Sequence, residues 1–215
     1  MRFPKCDETP LGIYPVVDRA YKLTPLYQNG ITTAQLRVKD MDGDILEREI
    51  VEAIEISRAF DARLFVNDYW QLAIKHDAYG IHLGQEDVVD ADLDTISEAG
   101  IRLGISTHTT DEIAVALAIE PSYVAIGPIY ETTSKAMVYN PVGIDDLNRW
   151  AKGVSFPIVA IAGIDISNIK DVLDTATVSG VAMISGVLDS HREVSVEKTK
   201  ALVDSFDKYY IAKAI

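Results

Sequence analysis

Residues 33–66 read TAQLRVKDMDGDILEREIVEAIEISRAFDARLFV, and this stretch contains three segments of different patterning. Polar and apolar residues alternate over Thr33–Val38, and a short apolar run occupies Leu64–Val66. Between them, the apolar residues of Ile45–Phe60 fall at helical spacing, with Ile50 and Ile54 beside charged neighbours. This pattern predicts two strands joined by a helix, which is the unit from which parallel sheets are built.

The same alternation of short runs and longer amphipathic segments continues along the chain. The predicted strands are Ile13–Val17, Thr33–Val38, Leu64–Val66, Gly80–Leu83, Arg102–Ile105, Tyr123–Ile126, Ile158–Ile161 and Val181–Ile184. The clearest predicted helices are Ile45–Phe60, Thr110–Ala118, Ser167–Thr175 and Ser195–Lys213, with Thr110 and Ser167 as expected N-caps.

Eight strands alternating with helices in 215 residues predict an α/β fold. The expected architecture is a single-domain (β/α)8 TIM barrel that spans residues 1–215 and begins with an N-terminal tail at residues 1–12. A doubly wound open sheet is the alternative, but such sheets normally have about five or six strands. In a TIM barrel, functional residues lie at the carboxyl ends of the strands.

Charge and composition exclude several classes of function. The formal net charge is −13, whereas binding to nucleic acid or anionic membranes needs a basic surface. No apolar stretch approaches the roughly 18 residues that span a bilayer, and the N-terminus lacks the apolar region of a secretory signal. The one cysteine, Cys6, has no partner for a disulfide or a zinc cluster. We expect a cytoplasmic protein in which local cations, a metal ion or backbone amides bind any anionic small molecule.

The second predicted strand ends in polar residues that share a face. Alternation places Gln35, Arg37 and Lys39 on one side and Leu36 and Val38 on the other. The strand therefore offers an amide and two cations in one direction. An edge strand with a solvated polar face is the alternative interpretation.

Two carboxylates follow neighbouring strands. Asn67 and Asp68 come directly after the third strand, and Asp87 comes shortly after the fourth. Two carboxylates, together with water and substrate phosphate oxygens, are a common way to hold Mg²⁺. Capping of the next helix is the alternative role for the Asn-Asp pair.

Histidine and serine residues near the next strands suggest positioning rather than covalent catalysis. His82 lies within an apolar strand and is interpreted as a hydrogen-bonded core histidine. Ser106 and His108 fall on one face after the fifth strand. No acidic residue nearby is evident as the third member of a nucleophilic triad, and the chain has no Gly-x-Ser-x-Gly motif.

The loops after the last three strands are suited to phosphate. Hydroxyl side chains followed by Lys135 come after the sixth strand, in a segment with little apolar content to hold it in place. Gly163 and Gly186 follow the seventh and eighth strands, where many TIM barrels bind phosphate through backbone N–H groups. A polar surface loop and ordinary turns are the alternatives.

Seven segments together carry a resemblance to a known family. They are QLRVKD (35–40), VNDY (66–69), GIHLGQED (80–87), GISTH (104–108), TTSK (132–135), AIAGI (160–164) and ISG (184–186). In order and spacing they resemble the thiamine phosphate synthase family over roughly residues 13–190. The resemblance implies a transferase of alkyl groups in thiamine biosynthesis. Such an enzyme joins an aminopyrimidine-methyl diphosphate to a thiazole phosphate and releases diphosphate with the help of Mg²⁺.

The resemblance also implies roles for individual residues. The implied Mg²⁺ ligands are Asp68 and Asp87. The implied contacts of the pyrimidine diphosphate are Gln35, Leu36, Arg37, Val38, Lys39, Asn67, Ser106 and Lys135. The implied contacts of the thiazole phosphate are Thr132, Thr133, Ser134, Gly163, Ile184 and Ser185. The expected catalytic residues are Arg37, Lys39, Lys135 and Ser106.

The chain departs from the family pattern in the thiazole half. Glu131 replaces a common proline, Ser134 a threonine, Ala162 the first glycine of a pair, and Gly186 an alanine. Two alternative functions stay open: a related thiazole tautomerase with His108 as base, and a catalytically inert phosphate-ligand sensor that acts through a partner protein. The sequence does not determine the oligomeric state, and a homo-oligomer is compatible with it.

Overall fold

Eight parallel strands close into a barrel in the computed structural model, which describes residues 3–7, 9–132 and 139–214. The strands are β1 (Gly12–Val17), β2 (Thr33–Leu36), β3 (Arg63–Asn67), β4 (Gly80–Leu83), β5 (Arg102–Thr107), β6 (Tyr123–Ile126), β7 (Ile158–Ile161) and β8 (Gly180–Met183). Each strand pairs with its neighbours in chain order, and β8 pairs with β1. The predicted (β/α)8 barrel is confirmed, and the open sheet is excluded because the sheet has no edge.

Helices follow the strands and form the outer layer. They are α1 (Leu23–Tyr27), α2 (Gly43–Ala59), α3 (Trp70–Lys75), α4 (Gln85–Asp90), α5 (Leu93–Glu98), α6 (Thr110–Ile119), α7 (Gly143–Ala151), α8 (Ile169–Asp174) and α9 (Val196–Ala214). Two 3₁₀-helices lie at Ala20–Lys22 and Ser185–Val187. In α2, Ile50, Ala53 and Ile54 are buried, so the helical spacing read from the sequence identifies the face that packs on the barrel. None of the helices in the described part of the chain is long and apolar enough to cross a membrane.

Both predicted N-caps are wrong by one residue. Thr109, rather than Thr110, caps α6, because its Oγ1 accepts a hydrogen bond from Glu112 N at 3.2 Å. Asn168, rather than Ser167, precedes α8. At each helix start, two residues with hydroxyl or amide side chains are adjacent in the sequence. Ser167 does not cap α8; its Oγ donates to Asp165 Oδ1 at 2.5 Å. Similarly, β2 ends at Leu36, two residues before its predicted end.

Aromatic rings fill the barrel interior where two strands carry glycine. Phe65 and Tyr123 meet edge to face, with ring centroids 5.1 Å apart and an interplanar angle of 84°. A Cβ atom at Gly80 would stand 2.6 Å from the Phe65 ring, and one at Gly104 would stand 2.1 Å from the Tyr123 ring. Glycine on β4 and β5 therefore makes the space that these rings occupy.

The N-terminal segment closes the amino end of the barrel. Leu11 is fully buried in the interior cluster that contains Tyr14, Phe65 and Tyr123. Arg63 donates to the backbone carbonyls of Thr9 and Pro10, at 3.1 and 2.6 Å. Because this end is covered, a ligand reaches the barrel from the carboxyl ends of the strands.

Candidate functional site

Two adjoining pockets open at the carboxyl ends of the strands. The first has a volume of about 350 Å³ and lies over β1 to β5, with contributions from β7 and the loop after β8. The second has a volume of about 90 Å³ and lies over the ends of β5 to β8. Four residues line both pockets: Ser106, His108, Ile161 and Ile184. Ligands held in the two pockets therefore meet over these residues.

The polar residues of β2 and the turn after it face the first pocket. Gln35, Arg37 and Lys39 line the pocket, whereas Leu36 and Val38 are each 1% exposed and pack in the core beneath the helices. The alternation predicted from the sequence is confirmed, and the edge-strand interpretation fails because the barrel is closed. Leu36 and Val38 can meet a ligand only through their main chain.

The turn after β3 holds Asp68 in an unusual backbone conformation. Asp68 has a φ of 65°, and its backbone N–H donates to the His82 carbonyl at 3.0 Å. Its carboxylate forms an ion pair with Lys39 Nζ inside the first pocket. The helix-capping interpretation of Asn67 and Asp68 is wrong, because α3 begins after Tyr69 and has no side-chain cap. Left-handed backbone at a non-glycine residue is strained and concentrates at functional sites.

Asp87 comes from the first turn of α4 and lines the same pocket. Its Oδ2 accepts a hydrogen bond from Gly84 N at 3.1 Å, which fixes the carboxylate at the start of the helix. Asp68 and Asp87 thus border one cavity, as adjacent βα loops allow. Among the described residues, no three or more His, Cys, Asp or Glu side chains are grouped so that they could hold a metal ion.

His82 is buried and hydrogen-bonded through both ring nitrogens. It is 5% exposed; its Nδ1 lies 2.6 Å from the Tyr123 hydroxyl, and its Nε2 lies 2.7 Å from Ser106 Oγ. The interpretation as a hydrogen-bonded core histidine is confirmed, but the ring also lines the first pocket. Ser106 therefore pairs with a histidine whose other partner is a phenol rather than a carboxylate.

His108 does have an acidic partner, contrary to the expectation from the sequence. Its Nδ1 lies 2.9 Å from Glu112 Oε2, four residues further along the chain. Tyr139 stacks on the His108 ring at a centroid distance of 4.4 Å, and its hydroxyl donates to Glu112 Oε1 at 3.1 Å. That hydrogen bond raises the pKa of Tyr139. The spacing of His108 and Glu112 was a local signal for their contact, whereas nothing in the sequence indicates the stacking.

The second pocket contains the glycine and hydroxyl residues expected to hold a phosphate. Thr132, Gly163, Ile184 and Ser185 all line it. Gly163 has a φ of 71°, and a Cβ atom there would stand 2.6 Å from Tyr130 Cβ and 2.7 Å from the Glu131 carbonyl. Both the backbone conformation and the close approach of the preceding loop therefore require glycine.

Some predicted residues remain outside this arrangement. Thr133, Ser134 and Lys135 lie outside the described residues.

Gln85 was missed by the sequence reasoning, although its Nε2 donates to the Ser106 carbonyl at 2.6 Å and its side chain lines the first pocket. Glu86 also lines that pocket; like Gln85, it was quoted in the motif of residues 80–87 but given no role.

A closed (β/α)8 barrel with cations, two carboxylates and a pocket lined by glycine and hydroxyl residues at its carboxyl end is typical of enzymes that act on phosphorylated small molecules. The family model described as thiamine monophosphate synthase matches residues 13–187. The chain is 50% identical to the thiamine-phosphate synthase of Photorhabdus laumondii over 178 residues, which are 82% of each chain. It is 49% identical to that of Yersinia pseudotuberculosis over 186 residues, 86% of each. This chain belongs to the thiamine monophosphate synthase family.

Solved structures agree with that assignment. The thiamine phosphate pyrophosphorylase from Pyrococcus furiosus superposes with a TM-score of 0.80 at 25% identity, and the match covers 93% of this chain and 96% of that one. The N-(5'-phosphoribosyl)anthranilate isomerase of the same organism has a TM-score of 0.65 at 12% identity, covering 92% and 99%, and shares the fold alone. The resemblance stated from seven motifs is confirmed, and the chain is a transferase that makes thiamine phosphate from small-molecule substrates.

Proposed function

We propose that the first pocket binds the pyrimidine diphosphate, that the second binds the thiazole phosphate, and that the new bond forms over the residues they share. The observation that supports this proposal is the way the residues expected to contact the two substrates divide between the two pockets. Gln35, Arg37, Lys39 and Asn67 line only the first pocket, whereas Thr132, Gly163 and Ser185 line only the second. Ser106 and Ile184 line both, at the junction where a thiazole nitrogen would meet the reacting carbon.

The charges of the first pocket support a requirement for a divalent cation. Its described lining has two cationic residues, Arg37 and Lys39, against three carboxylates, Asp68, Glu86 and Asp87. Two positive and three negative charges leave a net charge of −1 where a diphosphate has to bind. Mg²⁺ held by Asp68 and Asp87 would make this balance positive, and Lys135 would add to it.

The two aspartates suit Mg²⁺ as ligands. Mg²⁺ usually binds through one or two carboxylates and completes its shell with water and substrate phosphate oxygens. In the described part of the chain, each aspartate uses its Oδ2 atom, Asp68 toward Lys39 and Asp87 toward Gly84 N. The Oδ1 atoms remain as acceptors for a metal ion or its water.

The chain's own residues would stabilise the leaving diphosphate. The electron-rich aminopyrimidine can stabilise a positive methylene carbon, so the protein has mainly to neutralise charge on the departing oxygens. Bound Mg²⁺ would act there as a Lewis acid. Arg37, Lys39, Lys135 and the Asn67 amide would donate hydrogen bonds to the diphosphate, and each preorganised donor in such a site contributes about 3 kcal/mol to barrier lowering. No covalent intermediate with the enzyme is needed.

The residues of the second pocket would orient the thiazole. Backbone N–H groups near Gly163 and Ser185 would hold its phosphate, and the walls formed by Ile161 and Ile184 would place the ring against the pyrimidine. Fixed orientation converts an encounter of two substrates into a reaction within one complex. The proposal further places the protein in the cytoplasm, without nucleic-acid or membrane partners, and leaves a homo-oligomer open.

Substitution of Asp87 tests the proposed metal site. We expect Asp87→Ala to lower turnover about a hundredfold, because charge on the leaving group is then poorly stabilised. Asp87→Asn, which keeps an acceptor for Gly84 N, should need more Mg²⁺ for half-maximal rate. Lys135→Ala should lower turnover to a similar extent. The assay measures diphosphate release with both substrates over a range of Mg²⁺ concentrations.

Asp90→Ala is the matched control, since Asp90 is an exposed aspartate on the same helix. It should have the turnover and Mg²⁺ dependence of the parent chain. Parent-like turnover of folded Asp87→Ala would contradict the assignment of this aspartate to the metal.

A further inference from the structure

A line of hydrogen-bonded side chains crosses the barrel interior beneath the first pocket. The hydroxyls of Tyr14 and Tyr123 lie 2.9 Å apart. The Tyr123 hydroxyl lies 2.6 Å from His82 Nδ1, and His82 Nε2 lies 2.7 Å from Ser106 Oγ. Gln35 acts near the other end, where its side chain opposes the rise in the pKa of Tyr14 that burial causes. The line connects Ser106, a residue of the first pocket, to three residues that no proposed role includes.

The middle of the line is removed from water. Tyr14 is 1% exposed and Tyr123 is fully buried, and burial raises the pKa of both phenols. Buried polar groups without partners are strongly unfavourable, so the protein retains these hydrogen bonds. The four side chains come from β1, β4, β5 and β6, and the line therefore depends on the closed barrel.

The backbone of β5 provides the space that the line needs. Gly104 pairs with Tyr123 in the strand register. A Cβ atom at Gly104 would stand 2.4 Å from the Tyr123 hydroxyl oxygen. Glycine at this position therefore allows the Tyr123 hydroxyl to reach His82, whereas any other residue would displace it.

We infer that Tyr14, Tyr123 and His82 are positioning residues that fix the direction of the Ser106 hydroxyl at the floor of the first pocket. Each hydroxyl has one proton, and an imidazole with one ring proton donates through one nitrogen and accepts through the other. The direction of donation is therefore passed from one bond to the next. Ser106 consequently does not reorient independently of His82 and the two phenols.

A fixed direction matters for an aminopyrimidine. The amino group of this ring donates hydrogen bonds and the ring nitrogens accept them, so its recognition needs a donor and an acceptor that do not exchange roles. Sites built in this way discriminate strongly against analogues that lack one group. The inference rests on the proposed function in one respect, namely that the pyrimidine occupies the first pocket.

Removal of one buried hydroxyl tests the inference through kinetics. Tyr123→Phe should lower kcat/KM for the pyrimidine diphosphate about tenfold, which corresponds to the loss of one well-oriented hydrogen bond. The KM for the thiazole phosphate should stay unchanged. In a Ser106→Ala background, Tyr123→Phe should have little further effect, because the residue through which it acts is gone. Tyr14→Phe should act in the same direction and serves as a second variant.

Tyr27→Phe is the matched control. Tyr27 is also buried, and its hydroxyl lies 2.8 Å from Ser57 Oγ in the outer layer of the fold. This substitution removes the same atom from a buried hydrogen bond and should leave both substrate KM values as in the parent chain. A tenfold effect of Tyr27→Phe, or independent effects of Tyr123→Phe and Ser106→Ala that multiply in the double variant, would overturn the inference.

Nuclear magnetic resonance separates this inference from the proposed function. The chain has four histidines, so ¹⁵N-labelled histidine gives few ring signals, and His82→Gln assigns the signal of interest. Tyr14→Phe should shift the His82 ring nitrogens through the Tyr123 hydroxyl, which lies within hydrogen-bond distance of both side chains. Unchanged His82 signals in both Tyr14→Phe and Tyr123→Phe would disprove the line. Absence of product from the parent chain would instead reject the proposed function.

Discussion

At the scale of single residues, left-handed backbone occurs where the chain turns into the site. Asp68 and Gly163 adopt positive φ at the ends of β3 and β7, and Ala162 does so as well, with a φ of 79°. Only glycine adopts this conformation without a steric cost. Ala162 is the position at which the resemblance read from the sequence led us to expect glycine, and its positive φ gives that expectation a physical reason.

Ala162→Gly should therefore stabilise the protein. A Cβ atom on a residue with left-handed backbone destabilises the folded state by about 1–2 kcal/mol. The greater freedom of glycine in the unfolded chain offsets about 0.5–1 kcal/mol of the gain from its removal. We expect the free energy of unfolding to rise by up to about 1 kcal/mol, measured by urea denaturation. Ala160→Gly, in the buried interior of β7, is the control and should destabilise. A less stable Ala162→Gly variant would show that the alanine methyl contributes packing that outweighs its strain.

At the scale of elements, the segment before β1 seals the amino end of the barrel. Phe3 and Leu11 are buried there, and Arg102 Nε donates to the Lys5 carbonyl at 3.0 Å. Cys6 lies in this segment, with its Sγ 3.9 Å from the Ser122 carbonyl. Burial raises the pKa of the Cys6 thiol to about 11, and the nearby Arg63 and Arg102 only partly oppose it.

The reactivity of Cys6 reports whether this segment is docked. The thiolate is the reactive form, and a thiol with a raised pKa is less ionised at pH 8 than the same thiol in the unfolded chain. Because burial raises the pKa of this thiol from 9.0 to about 11, native alkylation by iodoacetamide should be about a hundredfold slower than alkylation in denaturant. The chain has one cysteine, so the readout is unambiguous. Equal rates in the two states would mean that the segment does not pack as described.

The elements were largely predictable from the sequence, and the reason is physical. Strands of a closed parallel barrel are buried on both faces, so they appear as short apolar runs between amphipathic segments. The alternation of Gln35, Arg37 and Lys39 with Leu36 and Val38 followed from the period of a strand alone. Cap positions were less certain, because adjacent polar residues such as Thr109 and Thr110 are equivalent in sequence and differ only in backbone geometry.

The contacts inside the site were not predictable in the same way. Tyr14 and Tyr123 are 109 residues apart, and their meeting depends on barrel closure and on glycine at Gly104. The pairing of His108 with Glu112 was local but was not recognised, because His108 precedes α6 and the spacing was not read across the helix start. Sequence patterns therefore indicated which side chains face the pockets, but not which of them bond to one another.

At the scale of the whole molecule, an acidic protein places two cations in a pocket at the carboxyl end of its barrel. The net charge is −13, and long-range attraction does not favour the approach of phosphorylated substrates. Arg37 and Lys39 stand beside Asp68 and Asp87 in the first pocket. The account thus requires a divalent cation to complete the positive field that accepts the leaving diphosphate.

The most direct test is to incubate the purified protein with both phosphorylated precursors, with and without Mg²⁺, and to quantify the products. The account predicts thiamine phosphate and diphosphate in equal amounts when Mg²⁺ is present, and almost no turnover after the metal has been removed by chelation. Turnover at the same rate without a divalent cation would contradict the proposed role of the two aspartates and the charge balance on which it depends.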